Sequence, residues 1–363
     1  MRPPVRAHHV GSLLRPPGLR AAYRRHRRGE IGDDEFRRAQ DEAIRHVVAL
    51  QEDLGLRVVT DGELRRASSW SRFVAAVDGL EVGTSRFKFT DAGGDRLASG
   101  APWATGTLRR WQPISGGELD FLAGVASAVP KVTLPSPSAM QFGNGPLSGP
   151  YTSSKEFFAD LSAVYRAEIA DLAARGATLV QLDEAALAML CDPAVRRRVE
   201  AAGEVPGQLV DDYVAAIAEA GAGRPEGVTL ALHVCRGNYR GHWLAQGGYE
   251  PVAEALFGGT GVDVLLLEFD SDRAGGFEPL RRVPATTFVV LGLVSSKTPE
   301  LEPRDDLLRR IEEASRYVDV ERLALSPQCG FASTAGGNPL SEDDERRKLG
   351  LVVDVCEDVW GGP

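Results

Sequence analysis

The feature that most limits the fold is an eightfold alternation. Short β-branched or apolar runs recur at residues 7–12, 57–63, 129–140, 177–187, 228–238, 262–270, 287–298 and 321–331. Between most of them lie segments with helical periodicity, expected at 17–54, 154–175, 206–220, 251–256, 278–283, 305–318 and 342–359. Parallel strands need crossover connections, so this pattern predicts an α/β protein: a single (β/α)8 TIM barrel occupying residues 1–363. Residues 81–128 break the rhythm with alternating Phe-Lys-Phe and Gly-rich turns, and are read as a β-hairpin insertion after the second strand. A doubly wound sheet is the second architecture compatible with the alternation. The barrel is preferred because polar residues stand at the ends of nearly all the runs, and only a closed ring gathers such ends at one mouth.

The fifth run, VTLALHVCRGN, is the most informative chemically. It ends with His233 and Cys235 two residues apart, a spacing that puts an imidazole and a thiol on the same side of a strand. Alone, the pair reads more readily as a core histidine beside a buried thiol. Two further donors close other runs, Glu268 the sixth and Cys329 the eighth. Together His233, Cys235, Glu268 and Cys329 make a four-ligand zinc set of one nitrogen, two sulfurs and one oxygen. Two thiolates and a carboxylate leave such a site near −1, which suits holding a thiol better than generating hydroxide. A free thiol is only about 3% thiolate at neutral pH, so coordination would raise the reactive population roughly thirtyfold. Ser12, Glu63 and Asp183 would remain at the mouth as groups able to clamp an α-amino acid, or as rim hydrogen bonds and loop caps.

Composition narrows the partners. The net charge of −9 argues against nucleic acid, and the apolar runs are too short for a membrane span. Four cysteines without close pairing suggest reduced thiols, and the N-terminal stretch lacks a secretory apolar core, so a cytoplasmic protein is expected.

The motifs HHVGSLLRP, VTDGELRR, QLDEAAL, LHVCRGN, LLLEFD, LGLVSSKTPELE and LSPQCGFAS resemble the catalytic barrel of the cobalamin-independent methionine synthases, especially their short single-barrel members. The resemblance implies that His233, Cys235, Glu268 and Cys329 bind catalytic zinc and that Ser12, Glu63 and Asp183 bind homocysteine. It implies a zinc-dependent methyltransferase that makes methionine or a related thioether. Two departures qualify this. The chain has no room for the second barrel that helps long synthases hold the folate, so a methylfolate, a methylcorrinoid or another small methyl carrier all remain as donors. Lys297 stands where the long enzymes have a histidine, and is expected to orient or stabilise the donor without ligating zinc, or else to pair with Glu268 or Glu300. The same short architecture resembles zinc enzymes that open an epoxide with a thiol, which is the alternative activity. A zinc-storing or thiol-binding protein is the non-catalytic one.

Overall fold

The computed structural model describes residues 5–91, 93–145, 147 and 149–363. Residues 1–4 of the N-terminal reading and Ala92 of the insertion therefore lie outside the described residues.

Nine strands are present among the described residues: β1 (Val58–Val59), β2 (Val77–Thr90), β3 (Arg96–Arg110), β4 (Val129–Pro135), β5 (Leu179–Glu184), β6 (Thr229–Val234), β7 (Val264–Glu268), β8 (Phe288–Val294) and β9 (Leu323–Pro327). Seven form one parallel sheet in the order β1-β4-β5-β6-β7-β8-β9, and β2 pairs antiparallel with β3. Parallel strands flanked by helices are buried on both faces, which is why these runs are almost continuously apolar. Leu182, Leu230, Leu232, Leu265 and Leu291 are fully buried.

The expected eight-stranded ring is present only in part. Its first run does not form a regular strand: Ala7 makes a single parallel bridge to Leu325, with His8 N–H donating to Leu325 O at 2.8 Å. On the side facing β1, contact passes through Leu13 N–H to Gly62 O at 3.1 Å and the Thr60 hydroxyl to Gly11 O at 2.6 Å. The cause is local. β1 holds only two residues before the chain leaves the sheet for the turn at 62–65, so little ladder is left to pair.

Other boundaries also moved. The first expected helix is two, Pro17–Arg27 and Asp33–Asp53, because Gly29 takes a left-handed φ of 70° between them. The expected helix at 278–283 is a 3-10 segment, Glu278–Arg282. The inserted hairpin begins at Val77, earlier than residue 81, and the segment Gly116–Val125 is a helix preceding β4, not a further hairpin. The helices Ser154–Ala174 and Glu342–Trp360 lie close to expectation, each started by a serine cap (Ser153 and Ser341).

The hairpin folds back over the carboxyl ends of the sheet. Arg86 N–H donates to Gly143 O at 2.7 Å, and Thr90 exchanges two 2.7 Å backbone hydrogen bonds with Trp243, in the loop beyond β6. Gly143 permits this approach, since a side chain there would meet the Ala101 methyl at 2.4 Å. On the inner face of the sheet Ala231, Leu266, Val290 and Ala324 form a small separate core. Two residues further along, the corresponding positions are His233, Glu268 and Ser326 on three of these strands and Gly292 on the fourth.

Candidate metal centre

His233 occupies the penultimate position of β6, and Cys235 follows the strand directly. The strand's alternation directs both to the inner face, as their spacing predicted. Cys329 lies just past β9. The donor atoms of His233, Cys235 and Cys329 all lie within 4.8 Å of one another, and the two Sγ atoms are 3.6 Å apart. All three residues are buried.

The surrounding loops hold them. Cys235 N–H donates to Glu184 O at 3.1 Å, and Gln328 N–H to Val294 O at 2.8 Å. The Asn238 amide ties the loop after β6 to Ser296 Oγ at 3.0 Å and to Gly330 O at 3.1 Å. Gly330 is required there, since a Cβ would stand 2.0 Å from Ser12 Oγ.

The chemistry of this donor set fits a soft divalent metal. Neither ring nitrogen of buried His233 has a hydrogen-bond partner among the described residues. A buried imidazole left unpaired is costly unless something else takes its lone pair. The Cys329 thiol donates to Cys235 sulfur and, against the cost of burial, the His233 charge adds to this; the Cys235 thiol is held well below its usual range. Donation to Cys235 and burial push the Cys329 thiol well up. Burial disfavours charge on His233, but Cys235 outweighs it and raises the imidazole. One thiolate is thus already favoured without any cation.

Glu268, expected as the fourth ligand, is not part of the three-donor cluster. It ends β7, fully buried, with Oε2 accepting the Arg236 N–H at 2.5 Å and Oε1 lying 3.1 Å from the Arg273 guanidinium. Lys297 Nζ is 3.5 Å from the same Oε1. Burial would raise this carboxyl, but Lys297, Arg236 and Arg273 hold it at about 2. Of the roles expected for Lys297, the pairing with Glu268 is present; the residue is buried and is not among those that line the cavity.

Ser12, Glu63 and Asp183 do come together with the cluster. All three line one cavity of about 750 Å³ with His233, Cys235 and Cys329. Asp183 is the register partner of His233, and its Oδ1 accepts from the Gln181 amide at 2.7 Å. Burial pushes its carboxyl up to about 7, opposed by His233 and assisted by Glu63. Glu63 has a left-handed φ of 58°, a conformation that a non-glycine residue adopts at a cost, and its Oε1 accepts from the Thr133 hydroxyl at 2.8 Å.

Sequence reasoning missed the residues behind this wall. Arg66 makes a buried ion pair with Glu118 at 2.6 Å and donates to Thr133 Oγ1 at 2.9 Å, so Glu118, Arg66, Thr133 and Glu63 form one chain of contacts. Lys131 is buried inside the sheet and donates to Gln181 Oε1 at 2.9 Å, while burial lowers its ammonium to about 7. A lysine inside the apolar run at 129–135 was a readable signal.

The profile of the cobalamin-independent synthase catalytic domain matches residues 6–357. The chain is 39% identical over 368 residues to the uncharacterized protein YxjG of Bacillus subtilis (strain 168), covering 99% of this chain and 96% of that one. It is 26% identical over 345 residues to the methionine synthase of Pyrococcus abyssi (strain GE5 / Orsay), covering 89% of this chain and 85% of the relative. Among solved structures, a Listeria monocytogenes chain whose proposed identity is a vitamin-B12 independent methionine synthase superposes with a TM-score of 0.78 at 31% identity, covering 99% of this chain and 98% of that one. The match along nearly the whole length, with the motif residues assembled at one cavity, places this chain in the family of cobalamin-independent synthase catalytic domains.

Proposed function

We propose that this protein is a zinc-dependent S-methyltransferase that converts the thiol of homocysteine, or a close analogue, to a thioether. The observation that carries the reading is the convergence of His233, Cys235 and Cys329 on the cavity that also exposes Ser12, Glu63 and Asp183. In this proposal the three clustered residues hold the ion and Glu268 completes the set, giving up one of its present partners to do so. Zinc at this place supplies a thiolate at neutral pH.

The chain's own residues do the rest. Glu63 and Asp183 are placed to accept hydrogen bonds from the amino group of the acceptor, and the Ser12 hydroxyl and neighbouring amides to receive its carboxylate. The Thr133 hydroxyl and the Arg66–Glu118 pair keep Glu63 aimed into the cavity. Lys297 and Arg273 keep Glu268 ionised. The hairpin roofs the cavity and limits water around the nucleophile.

The deciding experiment is metal analysis combined with an assay of thioether formation from homocysteine. About one zinc per chain and methionine as product are expected. A protein that holds no zinc, or that opens epoxides with thiols but methylates none, overturns the reading.

A further inference from the structure

The cavity is markedly asymmetric in chemistry. Its acceptor end carries the carboxylates of Glu63, Asp183 and Glu184 beside the two cysteines. Another part of its lining is aromatic and uncharged. The hairpin contributes Phe87 and Phe89, joined by Trp70, Phe142 and Tyr239. The rings pack in two pairs, with Phe87 and Phe142 centred 4.8 Å apart and Phe89 and Tyr239 5.3 Å apart. The neighbouring cations are not among the lining residues. Arg86 pairs with Glu204 and stacks behind Phe87 and Phe142, and Lys88 is exposed. Among the described lining residues there is no lysine or arginine, and the hairpin supplies no ionisable group at all.

This matters for the leaving group. A methyl carried on a neutral amine departs only if the nitrogen is protonated, and an anionic carrier calls for cations. The aromatic residues offer neither a carboxyl acid nor a cation. Asp183, whose carboxyl is raised to about 7, is committed in this reading to the ammonium of the acceptor, and Lys297 pairs with Glu268 at 3.5 Å and is not among the lining residues. Glu184 is held as an acceptor by Ser136 Oγ, Ser138 Oγ and the Leu187 N–H. Aromatic faces together with nearby carboxylates are instead the environment that binds a sulfonium or quaternary ammonium group.

We propose that the methyl donor is an onium compound, its charged centre seated on the wall formed by Trp70, Phe87, Phe89, Phe142 and Tyr239. This rests on the methyltransferase reading above. The acceptor thiolate uses one lone pair to form the new S–CH3 bond. The CH3–S⁺ (or CH3–N⁺) bond breaks, and its electron pair stays on the donor atom. The donor departs as a neutral thioether or amine, so the positive and negative charges cancel and no proton is required.

Zinc-loaded protein with homocysteine is assayed against S-methylmethionine, glycine betaine, 5-methyltetrahydrofolate and methylcobalamin, and calorimetry compares choline with its neutral isostere 3,3-dimethylbutan-1-ol. Expected are methionine formation from at least one of the two onium donors more than tenfold faster than from the folate or the corrinoid, and choline binding about tenfold tighter than the isostere. Phe89→Leu, which keeps apolar area but removes the ring face, should weaken choline three- to tenfold and leave zinc content and homocysteine affinity unchanged. Turnover with the folate or corrinoid and none with either onium overturns the proposal while sparing the methyltransferase reading, and so does equal affinity for choline and the isostere. Absence of thioether with every donor overturns both.

Discussion

Asp183 and His233 are register partners on adjacent parallel strands, so a carboxylate and an imidazole stand side by side on the inner face of the sheet. The pairing joins the two halves of the proposed site, the amino-acid clamp and the three-donor cluster, through the register of two adjacent strands. Each half is therefore testable without dismantling the other.

Asp183→Asn should weaken homocysteine ten- to a hundredfold, the loss of one charge-assisted hydrogen bond of about 1.5 to 3 kcal/mol, and leave bound zinc in place. Because burial lifts the Asp183 carboxyl to about 7, it protonates as pH falls through that value and loses its attraction for an ammonium. Homocysteine affinity of the unmodified protein should accordingly drop below neutral pH, and the variant should lack that step. Titration calorimetry across about pH 6 to 8 reads both effects.

Cys329→Ser removes one soft donor from the cluster and should cost most of the bound metal, since a neutral hydroxyl replaces a thiolate. Elemental analysis of the purified variant decides this. Retention of both full zinc content and full activity would remove Cys329 from the ligand set.

Thr133→Val keeps the side chain's shape but deletes the hydroxyl between Arg66 and Glu63. Homocysteine affinity should fall about three- to tenfold with little change in zinc, consistent with losing a bond of about 1 kcal/mol that orients Glu63. Glu118→Ala should be far more damaging to the fold, by about 3 to 5 kcal/mol, because it leaves the buried Arg66 without its closest partner. Denaturant unfolding separates the two, and an undiminished stability for Glu118→Ala would show that the pair contributes nothing.

Lys131 gives a pH signature of its own. Its ammonium is lowered to about 7 in the fold from an unfolded value of 10.5, so between those values the unfolded chain binds the extra proton and stability rises with pH. The penalty is fully present below about pH 7. Relative to Lys131→Met, the unmodified protein should gain about 2 kcal/mol from about pH 7 to 9, at most 1.4 kcal/mol per unit. A constant difference between the two proteins over that range would mean that Lys131 is charged throughout.

The alternation of apolar runs and helical segments determined the parallel α/β sheet, because period-2 and period-3.6 patterns are local properties of the chain. The i, i+2 spacing of His233 and Cys235 likewise set them on one face before any tertiary contact was known. Cys329 could be added because it ends a run of the same type. What the sequence left undecided depends on contacts between distant segments. Whether Glu268 meets the metal cluster or the Arg236, Arg273 and Lys297 group depends on how the loops after β6, β7 and β8 pack, and no local pattern encodes that. The partial closure of the ring followed from a two-residue β1 paired through Thr60 and Gly11 instead of a ladder. The aromatic lining on which the donor proposal rests exists because the hairpin folds over the sheet and buries Phe87, while Arg86 pairs with Glu204 and Lys88 is exposed. Alternation dictated that the two faces of the hairpin would differ, and packing against the segment at 142–143 chose which of them faces the cavity.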